Sequence, residues 1–331
     1  MNAGVLEEYL GHLAAGDRKR ALDLVMSLMR NGISLEVVVE DVVRAGQVEV
    51  GRRWESNEWS VAQEHAATAV AESVFTALVD RHDPGDEGPR GRLVAVCAEG
   101  EWHTLALRVL ADHVRRAGWG VTFLGPSVPA AQMARYLHDV GPDGLLVSCS
   151  VPLNLGGARR LIEASRATGT PVLAGGRAFG DDSRRADIVG ADAWAPDPAA
   201  AAARLDSWTS FTTPAPPLTH PGAAEHARLE RDAAVVLDRA MTELAEAYPP
   251  VKEYTGHRLE RTEEDLHYLL RFLSAALLVD EPRLLADYLA WLEVVLGARG
   301  LPPSVVGATV DAVARATGPD LPLATELLRS V

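Results

Sequence analysis

The 331-residue chain is poor in cysteine and in positive charge, and each shortage removes a class of function. Its two cysteines, Cys97 and Cys149, lie in apolar strand-like runs, which points to buried reduced thiols rather than a disulfide framework. Its 32 basic residues are outnumbered by 46 acidic ones, giving a formal charge of -14. No Lys/Arg cluster interrupts that balance, so direct nucleic-acid binding is disfavoured. No segment reaches the roughly 18 uninterrupted apolar residues that span a bilayer; the longest candidate, residues 273–279, is hemmed by Arg271 and Asp280. The N-terminus is acidic where a signal peptide needs positive charge. We expect a soluble, cytoplasmic protein with no membrane or nucleic-acid partner.

What is present is apolar content, 47% of the chain, enough to bury substantial cores in two or three domains. Val5, Leu10, Leu13, Leu22, Val25, Leu28 and Met29 recur at helical spacing, broken at Gly16-Asp17 and Asn31-Gly32, so a four-helix bundle is expected over residues 1–83. DPGDEGPRG (83–91) is linker chemistry. Short apolar runs then follow at 92–98, 121–124, 144–150, 171–176 and 192–196, separated by amphipathic stretches. That β-α alternation predicts a parallel sheet wrapped by helices over residues 91–200. A Pro- and Thr-rich linker is expected within 201–222, and helices again over 223–331. In that last segment helices are expected at 223–248, from Thr262, and at 282–298, 303–316 and 321–330.

Directly after the first expected strand, AEGEWHTLA puts Glu101 and His103 in a loop at the carboxyl end of the sheet, where ligands bind. A metal-binding imidazole is commonly oriented by a carboxylate on its other nitrogen, and Glu101 could serve. Taken alone, such a histidine is more often an ordinary surface residue. E-x-H-x-x-A at residues 101–106, Ser148 in the third strand and Gly175-Gly176 after the fourth resemble the cobalamin-binding Rossmann-like domain. That resemblance implies His103 as the lower cobalt ligand, displacing the cofactor's own base. It also implies a slot for the nucleotide tail lined by Ser148, Gly175 and Gly176. Ala106 departs from the family's glycine and could crowd that tail.

WESNEWSVAQEHAATAV (54–70) carries a helix break, then an S-x-x-Q capping box at Ser60 and Gln63 that restarts a helix with Glu64 and His65 in its opening turns. An amphipathic corner with a core tryptophan is the plain alternative. W-x(9)-E-H at Trp54, Glu64 and His65 resembles the light-sensing adenosylcobalamin repressors of carotenoid genes. The resemblance implies that Trp54 covers the adenosyl group, that Glu64 contacts it, and that His65 takes the cobalt position vacated after light breaks the cobalt-carbon bond. Those repressors begin with a DNA-reading helix-turn-helix. This chain starts in the bundle, so another output is expected.

The order of bundle, cobalamin domain and helical tail resembles the photocobilins, photoreceptors that hold cobalamin and biliverdin close together. It implies a multidomain protein with an α/β Rossmann-like domain and a C-terminal all-α, globin-like domain over 223–331. The cofactors implied are adenosylcobalamin and noncovalent biliverdin, since no cysteine follows Cys149. Tyr254, His257, Arg258, Arg261, His267 and Tyr268 offer donors and cations for a linear tetrapyrrole. The same cluster reads equally as solvated charges at a helix start, or, with His257 or His267 as proximal ligand, as a haem site. Trp291, Tyr288 and Leu292 read as core. We expect a photoreceptor and not an enzyme, a homo-oligomer with light-dependent assembly acting on a downstream protein partner. A corrinoid carrier in methyl transfer and a haem-containing cobalamin-binding sensor are the alternatives.

Overall fold

In the computed structural model, described for residues 3–82, 90–209 and 211–330, the chain divides into two compact units. One comprises Met1–Gly85 with Trp291–Pro303, the other Asp86–Ala290 with Ser304–Val331. Most of the stretch read as the first linker, residues 83–89, lies outside the described residues.

In the first unit, α1 (Ala3–Ala14) and α2 (Arg18–Arg30) are separated at Gly16-Asp17, where Asp17 caps α2 by accepting from the Arg20 N–H. α3 (Leu35–Val38) passes through a π-helical segment, Val39–Arg44, into α4 (Ala45–Glu55). The wider π turn rotates the buried stripe, so Val38, Val39, Val42 and Val43 all face inward. α5 (Val61–Asp80) starts at a complete capping box: the Ser60 hydroxyl accepts from the Gln63 N–H and the Gln63 side chain accepts from the Ser60 N–H. Counting α3 to α4 as one rod, four helices enclose a core that includes Tyr9, Leu10, Leu13, Val25, Val74, Phe75 and Leu78.

The second unit is built on five parallel strands: β1 (Arg92–Cys97), β2 (Gly120–Gly125), β3 (Gly144–Ser148), β4 (Val172–Gly175) and β5 (Ala193–Ala195). Their order is β2-β1-β3-β4-β5. β1 and β3 are buried on both faces, as their unbroken apolar sequences require. Helices α6 (Leu105–Arg116), α7 (Ala130–Val140), α8 (Leu155–Ala167), α9 (Arg184–Ile188) and α10 (Pro198–Asp206) connect and cover them. Cys97 and Cys149 are buried and form no disulfide, as expected. The strand order reverses between β1 and β3, which opens a crevice at the carboxyl ends of these two strands.

The Pro- and Thr-rich stretch after α10 is tied to the sheet domain. The Trp208 indole donates to the Asp143 carbonyl, and Arg166 and Arg159 donate to the carbonyls of Thr213 and Pro216. It is a strap rather than a free spacer.

The tail contributes α11 (Gly222–Ala247), α12 (His257–Val279), α13 (Pro282–Ala298), α14 (Ser304–Thr317) and α15 (Pro322–Ser330). α12 starts five residues before Thr262: Gly256, at φ +52°, turns the chain, and the Thr262 hydroxyl bonds back to the Arg258 carbonyl inside the helix. Its run from Phe272 to Val279 is buried throughout, the pattern of a central helix. No helix among the described residues is long and apolar enough to cross a membrane. α11 packs against α12 and α14, and α12 also packs on the turn Pro152–Asn154 and on α8. The residues of α13 from Trp291 onward group with the N-terminal helices.

Candidate cofactor site

The loop after β1 lies at the reversal of strand order. Gly100, at φ +87°, turns it, and its N–H donates to the Ser127 hydroxyl while the Ser127 N–H donates to the Glu101 carbonyl. These bonds drive the Glu101 side chain inward, where it is fully buried. A buried carboxylate is costly unless every lone pair is met. Here Oε1 accepts from the His103 Nδ1 at 2.5 Å and from the His103 N–H at 3.0 Å. Oε2 accepts from the N–H groups of Ser150 and Val151 at 2.8 and 2.9 Å and from the Asn154 amide at 3.3 Å. Burial pushes the Glu101 carboxyl upward, but the His103 ring and the backbone donors outweigh it and hold the group at about 2, below the ordinary 4.5.

The consequence is a histidine with one ring nitrogen fixed on a buried carboxylate and a ring that is 65% exposed at the crevice. With Nδ1 on the carboxylate, a metal bound by this ring would be met through Nε2. Among the described residues no three His, Cys, Asp or Glu side chains group as a metal site. Trp102, beside His103 and 71% exposed, is a residue that sequence reasoning passed over; its exposure at a crevice is the signal.

Ser148 ends β3 opposite Cys97 and Gly175, and is nearly buried. The glycines differ from expectation in their reason. At Gly176, φ +102°, a Cβ would stand 2.3 Å from the Cys149 carbonyl oxygen, and at Gly175 3.1 Å from that of Ala195. The space at Gly176 is taken by backbone, so glycine is required there for close approach of the loops after β3 and β4. Gly157 in α8 plays the same part, with a Cβ position 2.2 Å from the Glu99 carbonyl oxygen, and lay outside the sequence reading.

In the first unit, Trp54 sits in the last turn of α4. Its ring partners are Trp291, stacked at 5.9 Å, and the Arg299 guanidinium at 5.1 Å, rather than Glu64 or His65. Arg299 also donates to the carbonyls of Trp54 and Glu55 at 3.1 and 3.3 Å. Trp291, read from sequence as core, is 37% exposed and braces this corner. Trp59, buried beneath the Arg53 guanidinium, anchors the other side of the turn. Glu64 accepts from the Thr68 hydroxyl at 2.9 Å, which accepts from Gln47 at 3.0 Å, and His65 bonds to Glu64 through Nδ1 while its side chain remains 75% exposed.

The six tetrapyrrole candidates do not converge. Arg258 donates to the Tyr254 hydroxyl at 3.0 Å and lies over its ring, while His257 sits 3.9 Å from Glu260. Arg261 is exposed, and His267 and Tyr268 follow about 14 Å further along α12 from Arg258. Burial pushes the His267 imidazole down, helped by Arg271 one turn on. Phe272 stacks on Tyr288 at 3.8 Å, which confirms Tyr288 as core. A groove of about 760 Å³ lined by Ala314, Arg315, Gly318, Thr325 and Arg329 contains none of these candidates.

Comparison with known proteins agrees with this geometry. Residues 91–203 match the family described as B12 binding domain, and residues 5–79 match a second family of the same description. The chain is 38% identical over 88 residues to the HTH-type transcriptional repressor CarA of Myxococcus xanthus, covering 27% of this chain and 30% of that protein. It is 31% identical over 137 residues to the HTH-type transcriptional repressor CarH of the same organism, covering 41% and 44%. The chain thus spans less than half the length of either repressor. The dimethylamine corrinoid protein of Methanosarcina barkeri is 25% identical over 206 residues, covering 60% of this chain and 96% of that one. The structure of the Methanosarcina barkeri monomethylamine corrinoid protein superposes with a TM-score of 0.52 at 17% identity, over 62% of this chain and 98% of that chain, a likeness of fold alone. Residues 5–79 and 91–203 each match a B12-binding family, and a corrinoid is the cofactor these matches indicate. These matches leave the tail uncovered and do not extend to biliverdin.

Proposed function

We propose that the chain is a light sensor that holds adenosylcobalamin, with His103 in the lower axial position and Trp54, Glu64 and His65 serving the upper one. The observation that carries the reading is the His103–Glu101 pair at the reversal of strand order, a single imidazole fixed on a donor-saturated carboxylate. The residues fit the cofactor: a metal carried in its own equatorial ring needs one outward nitrogen, and Trp102 offers a flat apolar surface beside it. Adenosylcobalamin supplies a cobalt-carbon bond that light breaks. Trp54, braced by Trp291 and Arg299, would serve as the cover for the adenosyl group, and Glu64 would contact it. His65, exposed and adjacent to Glu64, would be the residue available to hold the cobalt after light has acted. The changed contacts shift the population between assembly states and thereby address a partner protein. Biliverdin in the helical tail is the second chromophore of this reading, supported by the order of segments.

One observation favours a second reading, that of a corrinoid carrier in methyl transfer: the match covering 96% of a corrinoid protein. A methyl ligand needs no broad aromatic cover, so dependence on Trp54 separates the two. The test is an absorption spectrum of protein saturated with adenosylcobalamin and biliverdin before and after green illumination, alongside His103→Ala. A stable adenosyl form lost on illumination, with a red-region bilin band, is expected. Failure to hold an adenosyl form favours the carrier, and a His103→Ala spectrum identical to the parent removes the lower-ligand assignment.

A further inference from the structure

The donors on Glu101 do not end within the sheet domain. Asn154 is buried, and its amide is used at both ends: Nδ2 donates to the Glu101 Oε2 at 3.3 Å, and Oδ1 accepts from the Arg271 Nη2 at 2.6 Å. The same guanidinium nitrogen lies 3.4 Å from the Leu153 carbonyl, and a Cβ at Gly100 would stand 3.0 Å from it. Arg271 belongs to α12, a tail helix, and all of these residues lie in one compact unit. A side-chain amide can turn end for end, and nothing in Asn154 itself decides which end faces Glu101. Its two neighbours decide it together: the carboxylate can only accept and the guanidinium can only donate, so the nitrogen faces Glu101 and the oxygen is held by Arg271. Reversed, the amide would set its oxygen against Oε2, and the carboxylate that orients the His103 ring would lose a donor and meet a repulsion.

We propose that Arg271 is a positioning residue for the lower cobalt ligand, acting on His103 through Asn154 and Glu101. The proposal rests on the reading of His103 as that ligand. It makes the tail helix part of the assembly that orients His103 and gives α12, whose His267 and Tyr268 face outward one turn before Arg271, a hydrogen-bonded line to that imidazole.

The test reads the metal-nitrogen bond itself. Full-length protein labelled with 15N-histidine, in a His65→Ala background, is loaded with cob(II)alamin and its electron paramagnetic resonance spectrum recorded. An axial 15N nucleus splits the lines into doublets, whereas the cofactor's own 14N base gives triplets. The parent shows doublets, and His103→Ala shows triplets or no nitrogen splitting. Arg271→Met is expected to convert at least a quarter of the doublet signal to triplets or to unsplit lines, and Arg271→Lys, which retains a donor, to recover most of it. Unchanged doublets in Arg271→Met overturn the proposal, including where its unfolding midpoint falls, since that outcome is packing alone. Should Arg271→Met fail to fold, Arg271→Lys and Asn154→Leu carry the test: doublets identical to the parent in both overturn it. Triplets in the parent would overturn the reading of His103 and are distinguishable from failure of the Arg271 step.

Discussion

Replacing Glu101 by Gln tests whether the candidate site is built on an ionised, fully bonded carboxylate. The carboxyl is fully buried and held at about 2 against an ordinary 4.5. A displacement of that size corresponds to about 3 kcal/mol of folding stability. Because the folded-state value is the lower one, this stabilisation is fully present above the unfolded value and fades as pH falls from about 5 toward 2. Linkage gives about 3 kcal/mol at pH 6 and about 1.4 kcal/mol at pH 3. A glutamine cannot ionise, and one end of its amide must present hydrogens to donors: the His103 N–H on one side or the Ser150 and Val151 N–H groups on the other. The variant apoprotein should therefore be less stable by about 3 kcal/mol or more at pH 6, and the gap should narrow by about 2 kcal/mol at pH 3. Urea unfolding of both proteins at each pH measures this, and comparison at equal pH removes the common titration of other carboxylates. A gap below about 1 kcal/mol at pH 6, or one that does not change with pH, refutes the account of Glu101 as a charged anchor for His103.

Gly176→Ala should cost about 3 kcal/mol or more in urea unfolding, since a Cβ would stand 2.3 Å from the Cys149 carbonyl oxygen at a φ of +102°. Arg299→Ala removes two hydrogen bonds to the carbonyls of Trp54 and Glu55 and a cation above the Trp54 ring. It should destabilise the corner by about 1–3 kcal/mol, read as faster amide exchange at Ser56 and Asn57 with little change at Leu10 and Leu13. Trp102→Ala should weaken cobalamin binding about tenfold by equilibrium dialysis with no loss of folding stability, because the indole is exposed and packs on little of the protein.

The β-α alternation over residues 92–196 was legible because buried parallel strands are written as unbroken apolar runs; four of the five strands fall within the expected runs, and β2 extends one residue beyond its run at each end. The capping box at Ser60 was legible for a similar reason: both partners lie within one turn, so sequence spacing and spatial distance coincide. The Glu101–His103 pair, two residues apart, belongs to the same class. The start of α12 was misplaced because Thr262-Glu-Glu-Asp imitates a cap, while Gly256, which turns the chain, signals only through its backbone conformation. The Pro- and Thr-rich stretch looked like a spacer because nothing local records the arginines of α8 that hold it.

Sequence by itself determined the elements and the short-range chemistry: the bundle, the parallel sheet, and the imidazole and carboxylate at the end of β1. Only the tertiary structure decided which distant groups complete them. Trp54 meets Trp291 and Arg299 across more than two hundred residues of chain, and Glu101 is finished by Ser150, Val151 and Asn154, with Arg271 behind. The physical reason is that hydrogen bonds and ring contacts depend on distance in space. Periodicity and spacing report that distance only along a single helix, strand or turn, whereas packing brings together residues whose separation in sequence carries no trace of the contact.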